Sequence, residues 1–192
     1  LSVRLTQSDA SNPPLVVTQQ LIEEIMVLFT AGHETTANAL SFTLALIAKH
    51  DRIQEKLFQE VNSVDLGSGA ILDQLDRLSF TKQCIEEALR LYPPLYVLDK
   101  VSLKPDEVGG RQFDSGTVWF MSFFELQRHP DFWENPDDFI PERFDTMNTK
   151  DFSNWYFPFG AGPRMCIGNN FAMYEMIMVI ATLVKKFHLT SE

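Results

Sequence analysis

Cysteine is scarce in this sequence: Cys84 and Cys166 are the only two, and neither forms a C-x-x-C pair. No disulfide framework and no zinc site are indicated, which fits a reducing compartment and favours a cytoplasmic location. Basic charge is also short, with 16 Lys and Arg against 26 Asp and Glu. The resulting net charge of −10 argues against a nucleic-acid partner and against adhesion to anionic lipid. Long apolar runs are missing too. The longest, near Ile25 to Gly32, runs into His33 and Glu34, so neither a signal peptide nor a transmembrane span is expected in these residues. No G-x-G-x-x-G fingerprint for a flavin or nicotinamide occurs. What is present, 45% hydrophobic and 22% charged residues over 192 positions, is the composition of an ordinary globular domain.

Punctuation and periodicity divide the chain. Leu1 to Val17 is polar with Pro13 and Pro14 and reads as a lead-in loop. Thr18 is a suitable N-cap for one long helix over residues 19–49, whose apolar residues Leu21, Ile22, Ile25, Leu28, Phe29, Ala39, Leu40, Leu44 and Ile47 recur at helical spacing. Such a helix is expected to cross the core. Asp51 can cap a second helix through Ile53, Leu57, Phe58 and Val61, ended by the flexible turn Leu66-Gly67-Ser68-Gly69. A short helix is expected over 71–78, and another over 81–91, stopped by Pro93-Pro94. Residues 95–122 change period: β-branched and aromatic residues between glycine turns read as short antiparallel strands. Residues 128–158 read as a packed irregular loop with Trp133 and Phe139 as anchors, and 169–186 as a buried helix. The fold class is mainly α with a small antiparallel β-sheet. The whole of 1–192 is expected to be one partial domain, since the sequence starts at Leu1 without a methionine and ends soon after Cys166.

The central stretch is Phe159-Gly160-Ala161-Gly162-Pro163-Arg164-Met165-Cys166-Ile167-Gly168. It puts one thiol where a glycine-rich loop enters an apolar helix, near unpaired N–H groups and the positive end of the helix dipole, both of which favour a thiolate. Gly160, Gly162 and Gly168 allow positive φ and a flat approach to a broad partner. Arg164 offers a fork of donors to a carboxylate at that partner's rim. Phe159 can screen the sulfur from water. A lone cysteine is more often a small buried hydrophobe, which is the reading for Cys84, but that reading leaves the glycines, the arginine and the aromatic unexplained. In the long helix the pattern breaks at Ala31-Gly32-His33-Glu34-Thr35-Thr36, where Gly32 leaves space and the Thr35 hydroxyl can turn to a carbonyl or outward.

The ten-residue pattern F-G-x-G-x-R-x-C-x-G, matched in full, resembles the haem-binding signature of the cytochrome P450 family. Three further stretches resemble that family in the same order: Ala31 to Thr36 its A/G-G-x-D/E-T-T segment, Glu87-Ala88-Leu89-Arg90 with Tyr92-Pro93-Pro94 its E-x-x-R and Y-P-P, and Pro141-Glu142-Arg143-Phe144 its P-E-R-F. The resemblance covers nearly the whole chain but only the C-terminal part of complete members. It implies a P450-like fold and a haem b whose axial ligand is Cys166, with Arg164, Phe159, Gly160, Lys100, Ala31 and Gly32 around it. It implies that Glu34 and Thr35 manage protons for bound dioxygen. Glu87, Arg90 and Arg143 would form a structural triad, although spacing alone describes an exposed ion pair of small worth. Leu95, Tyr96 and Leu98 would line the substrate side, which suggests a hydrophobic small molecule. Two positions depart from the pattern: Lys100 stands where an arginine usually meets a haem propionate, and Gln127-Arg128 stands where many members read H-R.

The implied reaction inserts one oxygen atom of dioxygen into a hydrophobic substrate, with electrons from a separate ferredoxin or flavoprotein reductase. Two other readings stay open. One is a haem-thiolate protein that inserts no oxygen, such as an isomerase, a peroxygenase or a gas sensor, which needs the cysteine but not Glu34 and Thr35. The other is a truncated relic without haem. A hydrophobic leader outside these residues would place the protein at the endoplasmic reticulum membrane instead of the cytoplasm.

Overall fold

The computed structural model describes residues 18–65, 70–146 and 154–191. Helix α1 runs unbroken over Gln19–Ala48, and Thr18 caps it, its hydroxyl accepting the Leu21 N–H at 3.2 Å. The polar stretch at 31–36 does not interrupt the helix. Only the C-terminal half of α1 enters the core, through Thr36, Ala39, Thr43 and Ile47. Ile22, Ile25, Met26, Val27, Leu28 and Phe29 are exposed, contrary to the expectation of a helix buried along its length. Periodicity identifies an apolar face; burial needs a second element to cover it, and none of the described residues does so there.

Helix α2 covers Asp51–Ser63, with His50 rather than Asp51 at its N-cap and no side-chain cap bond. Asp51 instead occupies the first helical position, where its negative charge faces the positive dipole end. Helix α3, Ile71–Leu75, is shorter than expected, and α4 spans Ser79–Leu91. The lead-in 1–17 and the turn 66–69 lie outside the described residues.

Four strands follow: β1 Val97–Val101, β2 Asp106–Val108, β3 Arg111–Phe113 and β4 Val118–Ser122. They form two antiparallel pairs, β1 with β4 and the hairpin β2 with β3 nested between them. Gly109 and Gly110 both hold positive φ (58° and 77°) in the two-residue turn that the inner hairpin requires. Phe113 packs on Trp119 with ring centroids 4.4 Å apart, joining the two pairs. The short helices α5, Phe123–Leu126, and α6, Arg143–Thr146, lie in and beside the stretch expected to be irregular, and α7 spans Asn169–Lys186. The chain is thus mainly α with a small antiparallel β portion.

The core forms where α1, α2, α4 and α7 meet. Ile47, Leu57, Val61, Leu78, Cys84, Ile85, Ile180 and Ala181 are completely or almost completely shielded from water. Each large aliphatic side chain so buried contributes about 1.5–3 kcal/mol. Ten of the thirteen residues of α4 are buried, so this helix is surrounded on nearly every side and serves as the hub. Trp133 and Phe144 form a second buried cluster with Trp155 and Tyr156, and Phe139 joins the main one.

Candidate functional site

The loop before α7 is shaped by its glycines. Gly160 and Gly162 hold φ of 74° and 72°, and a Cβ placed on either would meet nothing within 4 Å, so the space beside this backbone is open. Gly168 differs from expectation: its φ is −94° and it serves as the N-cap of α7. Residues 162–164 make one 3-10 turn, closed by the Met165 N–H donating to the Gly162 carbonyl at 3.1 Å. The Cys166 N–H donates to the Phe159 carbonyl at 2.9 Å and closes the loop on itself. Cys166 is exposed two residues before that N-cap, flanked by exposed Met165 and Ile167, with Phe171 exposed on the first turn of α7. Phe159 is half-buried and packs against the core cluster to which Ala39, Leu40 and Leu44 of α1 and Ala172 and Met173 of α7 also belong.

The α1 segment at 31–36 lies N-terminal to the part of the helix that packs in that cluster. Gly32 stands two turns N-terminal to Ala39, about 10 Å along the axis. Ala31, Gly32, Glu34 and Thr35 are exposed, and a Cβ on Gly32 would touch nothing within 4 Å. The Thr35 hydroxyl donates to the Ala31 carbonyl at 2.6 Å, while the Thr36 side chain turns into the core. His33 stacks on Phe29, with ring centroids 5.7 Å apart.

A dense polar network surrounds the C-terminal half of α4. Glu87 and Arg90 are wholly buried and joined twice, Nε to Oε2 at 2.7 Å and Nη2 to Oε1 at 2.9 Å. Arg143 donates from Nε to the same Oε1 at 2.9 Å, as does the Ile140 N–H. The remaining donors go to backbone carbonyls: Arg90 to Gln127, Pro136 and Asp138, and Arg143 to Glu134 and Asn135. Charges this deep are tolerable because all five N–H groups of Arg90 are engaged and both Glu87 carboxylate oxygens accept hydrogen bonds. Arg90 also lies over the Trp133 ring, 5.0 Å from its centroid. The sequence spacing of Glu87 and Arg90 gave them a common face; it did not foretell the carbonyls of residues 127–138 that surround the arginine.

Leu95 and Tyr96 are exposed and Leu98 is half-buried on β1, where Lys100 pairs with Trp119 of β4 and points no charge at a carboxylate. Among the described residues neither Lys100 nor Arg164 has an ion-pair partner. The Tyr96 carbonyl accepts the N–H groups of Phe123 and Phe124, and the Phe123 ring meets Phe157 at 6.1 Å, so the start of the strands is tied to the lead-in of the cysteine loop. Arg128 stacks on Phe124 at 3.9 Å and on Tyr92 at 5.1 Å; burial lowers its pKa from the usual guanidinium value. Burial raises the Cys84 thiol well above its ordinary range, with the charge of Glu60 adding to the effect, and Cys84 remains a core residue.

Sequence reasoning left Gln127 without a role, yet it is wholly buried with its amide fully engaged. The departure from H-R marked the position but not its task, because its partners lie thirty to forty residues away on either side.

The donor set fits a haem. No cluster of three His, Cys, Asp or Glu among the described residues can hold a metal by itself. The open glycine backbone, the exposed apolar side chains about the sulfur and the uncommitted Arg164 suit a flat, largely apolar macrocycle with anionic edges.

A sequence profile described as Cytochrome P450 matches residues 2–192. Cytochrome P450 4d2 of Drosophila melanogaster is 38% identical over 188 residues, which are 96% of this chain and 37% of that protein. Cytochrome P450 3A6 of Oryctolagus cuniculus is 34% identical over 170 residues, 88% of this chain and 34% of that protein. The taurochenodeoxycholic 6 alpha-hydroxylase of Sus scrofa is 35% identical over 172 residues, again 88% and 34%. The chain thus spans about a third of the length of the curated relatives it matches. With an exposed cysteine on a glycine-shaped loop, a buried network of Glu87, Arg90 and Arg143 and this match along its length, the chain belongs to the cytochrome P450 family.

Proposed function

We propose that this chain forms the thiolate side of a haem monooxygenase that inserts one oxygen atom of dioxygen into a hydrophobic organic substrate, with electrons from a separate ferredoxin or flavoprotein reductase. The observation that carries it is the placement of Cys166: an exposed thiol at the entry of α7, on a loop whose backbone leaves open space at Gly160 and Gly162. Haem b held through a cysteine thiolate supplies the activation of dioxygen, since the sulfur's electron density favours O–O cleavage.

The chain's own residues supply position, charge and protons. Cys166 is the ligand and Phe159 shields it from the core side. Arg164 and Lys100, both exposed and unpaired with carboxylates among the described residues, are suited to the carboxylate edge of the cofactor. Lys100 acts there as a point charge rather than a fork. Ala31 and Gly32 leave clearance on the face of α1. Thr35 holds its proton on the Ala31 carbonyl at 2.6 Å, so Oγ1 offers its lone pairs outward, and rotation of the hydroxyl redirects the proton. Glu34, exposed on the adjacent position, exchanges protons with solvent. Leu95, Tyr96 and Leu98 present apolar surface to substrate. The hydroxylase named among the relatives supports oxygen insertion over readings in which Glu34 and Thr35 have no task.

The test uses the full-length protein. The reduced, carbon-monoxide-bound form is expected to show the red-shifted Soret band of thiolate ligation, and Cys166→Ala to remove it; an unaltered band in the variant would make another residue the ligand. Thr35→Ala is expected to keep the band, uncouple oxygen consumption from product and raise peroxide. Unchanged coupling would remove Thr35 from proton delivery.

A further inference from the structure

Gln127 sits at the C-cap of α5 with no exposure to solvent. Its amide makes every bond it can usefully make. Nε2 donates to the carbonyls of Leu89 and Arg90, both at 3.1 Å, and Oε1 accepts the Phe157 N–H at 3.0 Å. The two carbonyls belong to the last turn of α4, where no intrahelical donor remains for them. The backbone of Gln127 is pinned as well: its N–H donates to the Phe123 carbonyl at 2.9 Å and its carbonyl accepts Arg90 Nη1 at 2.8 Å. A single side chain therefore joins the end of the buried hub helix to the residue two before Phe159.

The connection continues to the sulfur-bearing residue. The Phe157 carbonyl accepts the Gly160 N–H at 3.1 Å, and the Phe159 carbonyl accepts the Cys166 N–H at 2.9 Å. Phe157 is gripped at two points one helical turn apart, its ring by Phe123 at 6.1 Å and its N–H by Gln127. Because both grips come from α5, and α5 is fixed to α4 through Arg90, the loop inherits the rigidity of the core.

We propose that Gln127 is a positioning residue for the Cys166 loop: through the Phe157 N–H it fixes the Phe159 carbonyl that holds the Cys166 backbone, and so sets where the sulfur stands. This rests on the reading of Cys166 as the haem ligand. A leucine of similar size keeps the volume but orphans one N–H and two carbonyls, which is costly in a dry interior. An imidazole can donate to one carbonyl and accept the Phe157 N–H, so histidine restores the link in part.

The experiment compares full-length, haem-loaded wild type with Gln127→Leu, Gln127→His and Cys166→Ala. Two readouts are taken: the reduced carbon-monoxide spectrum, and amide hydrogen exchange at Phe157, Cys166 and, as a core reference, Ile85. In Gln127→Leu, exchange at Phe157 and Cys166 is expected to quicken by about ten-fold relative to Ile85, with part of the red-shifted band lost. Gln127→His is expected to recover both in part. Equal quickening at all three amides with an intact band would make Gln127 a residue of the fold alone and overturn the proposal. Should Gln127→Leu fail to fold, Gln127→His decides: a folded core with a Phe157 amide as fast as free loop overturns it. Phe157 is expected to stay protected in Cys166→Ala, because its hydrogen bond to Gln127 does not depend on the ligand. A wild type without the red-shifted band would remove the functional reading, and the proposal with it.

Discussion

Glu60 of α2 caps α4 through Thr81: its Oε2 accepts both the Thr81 N–H, at 2.8 Å, and the Thr81 hydroxyl, at 2.7 Å, while Oε1 takes the Phe80 N–H at 2.6 Å. The residue at the N-cap itself, Leu78, has no side chain able to do this. A carboxylate from a neighbouring helix thus satisfies the donors that a local Ser or Asp usually serves, and its charge meets the positive end of the helix. Glu60→Ala is expected to lower stability by about 1–2 kcal/mol, read from denaturant midpoints. Thr81→Ala alone, which spares both backbone bonds, should cost less. Equal losses in the two variants would place the stabilisation in the Thr81 hydroxyl rather than in the cap.

The buried network of Glu87, Arg90 and Arg143 makes a stronger demand. Glu87→Gln leaves Arg90, with no exposure, and Arg143 without their counter-charge. Breaking a buried pair on one side costs about 3–5 kcal/mol, a large part of the stability of a small domain. Expression in the insoluble fraction, or a denaturation midpoint far below wild type, is the expected result. A Glu87→Gln variant as stable as wild type would mean that the arginines are satisfied by carbonyls alone.

The two cysteines differ enough to be separated chemically. Cys84 is buried and held as a neutral thiol, whereas Cys166 is exposed. A maleimide at neutral pH is expected to label Cys166 and spare Cys84 in the folded haem-free protein, as read by peptide mass spectrometry, and to label both in denaturant. Loading with haem should protect Cys166. Labelling of Cys166 at an unchanged rate after haem uptake would sink its assignment as the ligand.

Tyr156 gives the fold a dependence on alkaline pH. Burial pushes its phenol well above the usual value, with the charges of Glu86 and Glu87 adding to it, and its hydroxyl donates to the Glu86 carbonyl at 2.9 Å. Above the unfolded pKa, near 10, the unfolded chain releases this proton and the folded chain keeps it, so stability falls as pH rises, at up to about 1.4 kcal/mol per unit from this group. Below that range the contribution is constant. Tyr156→Phe should flatten the decline measured between roughly pH 9 and 11. An identical slope in the variant would assign the loss to other groups.

How far the residues foretold this arrangement varies with the range of the interaction. Thr18, the apolar spacing of 19–49 and the Pro93-Pro94 stop act locally, and the helices they mark are where they were expected. Asp51 is by residue type the better cap, and only the non-helical backbone at His50, φ −131° and ψ 82°, moves the cap one residue back. The exposure of Ile22 to Phe29 depends on what covers the helix, which periodicity does not encode. Glu60 reaches Thr81, and Gln127 reaches Leu89 and Phe157, across twenty to forty residues. These links come from the fold, and a polar residue read singly is more naturally placed on the surface. Cys166 was conspicuous because its glycines and arginine lie within ten residues of it.

The enclosure of α4 bears on how the molecule comes apart. A helix gripped on almost every flank has no free side from which to fray, and the cysteine loop is tied to its final turn through Gln127. Heating should therefore release cofactor and melt the interior in one event, with absorbance and ellipticity tracing a single curve.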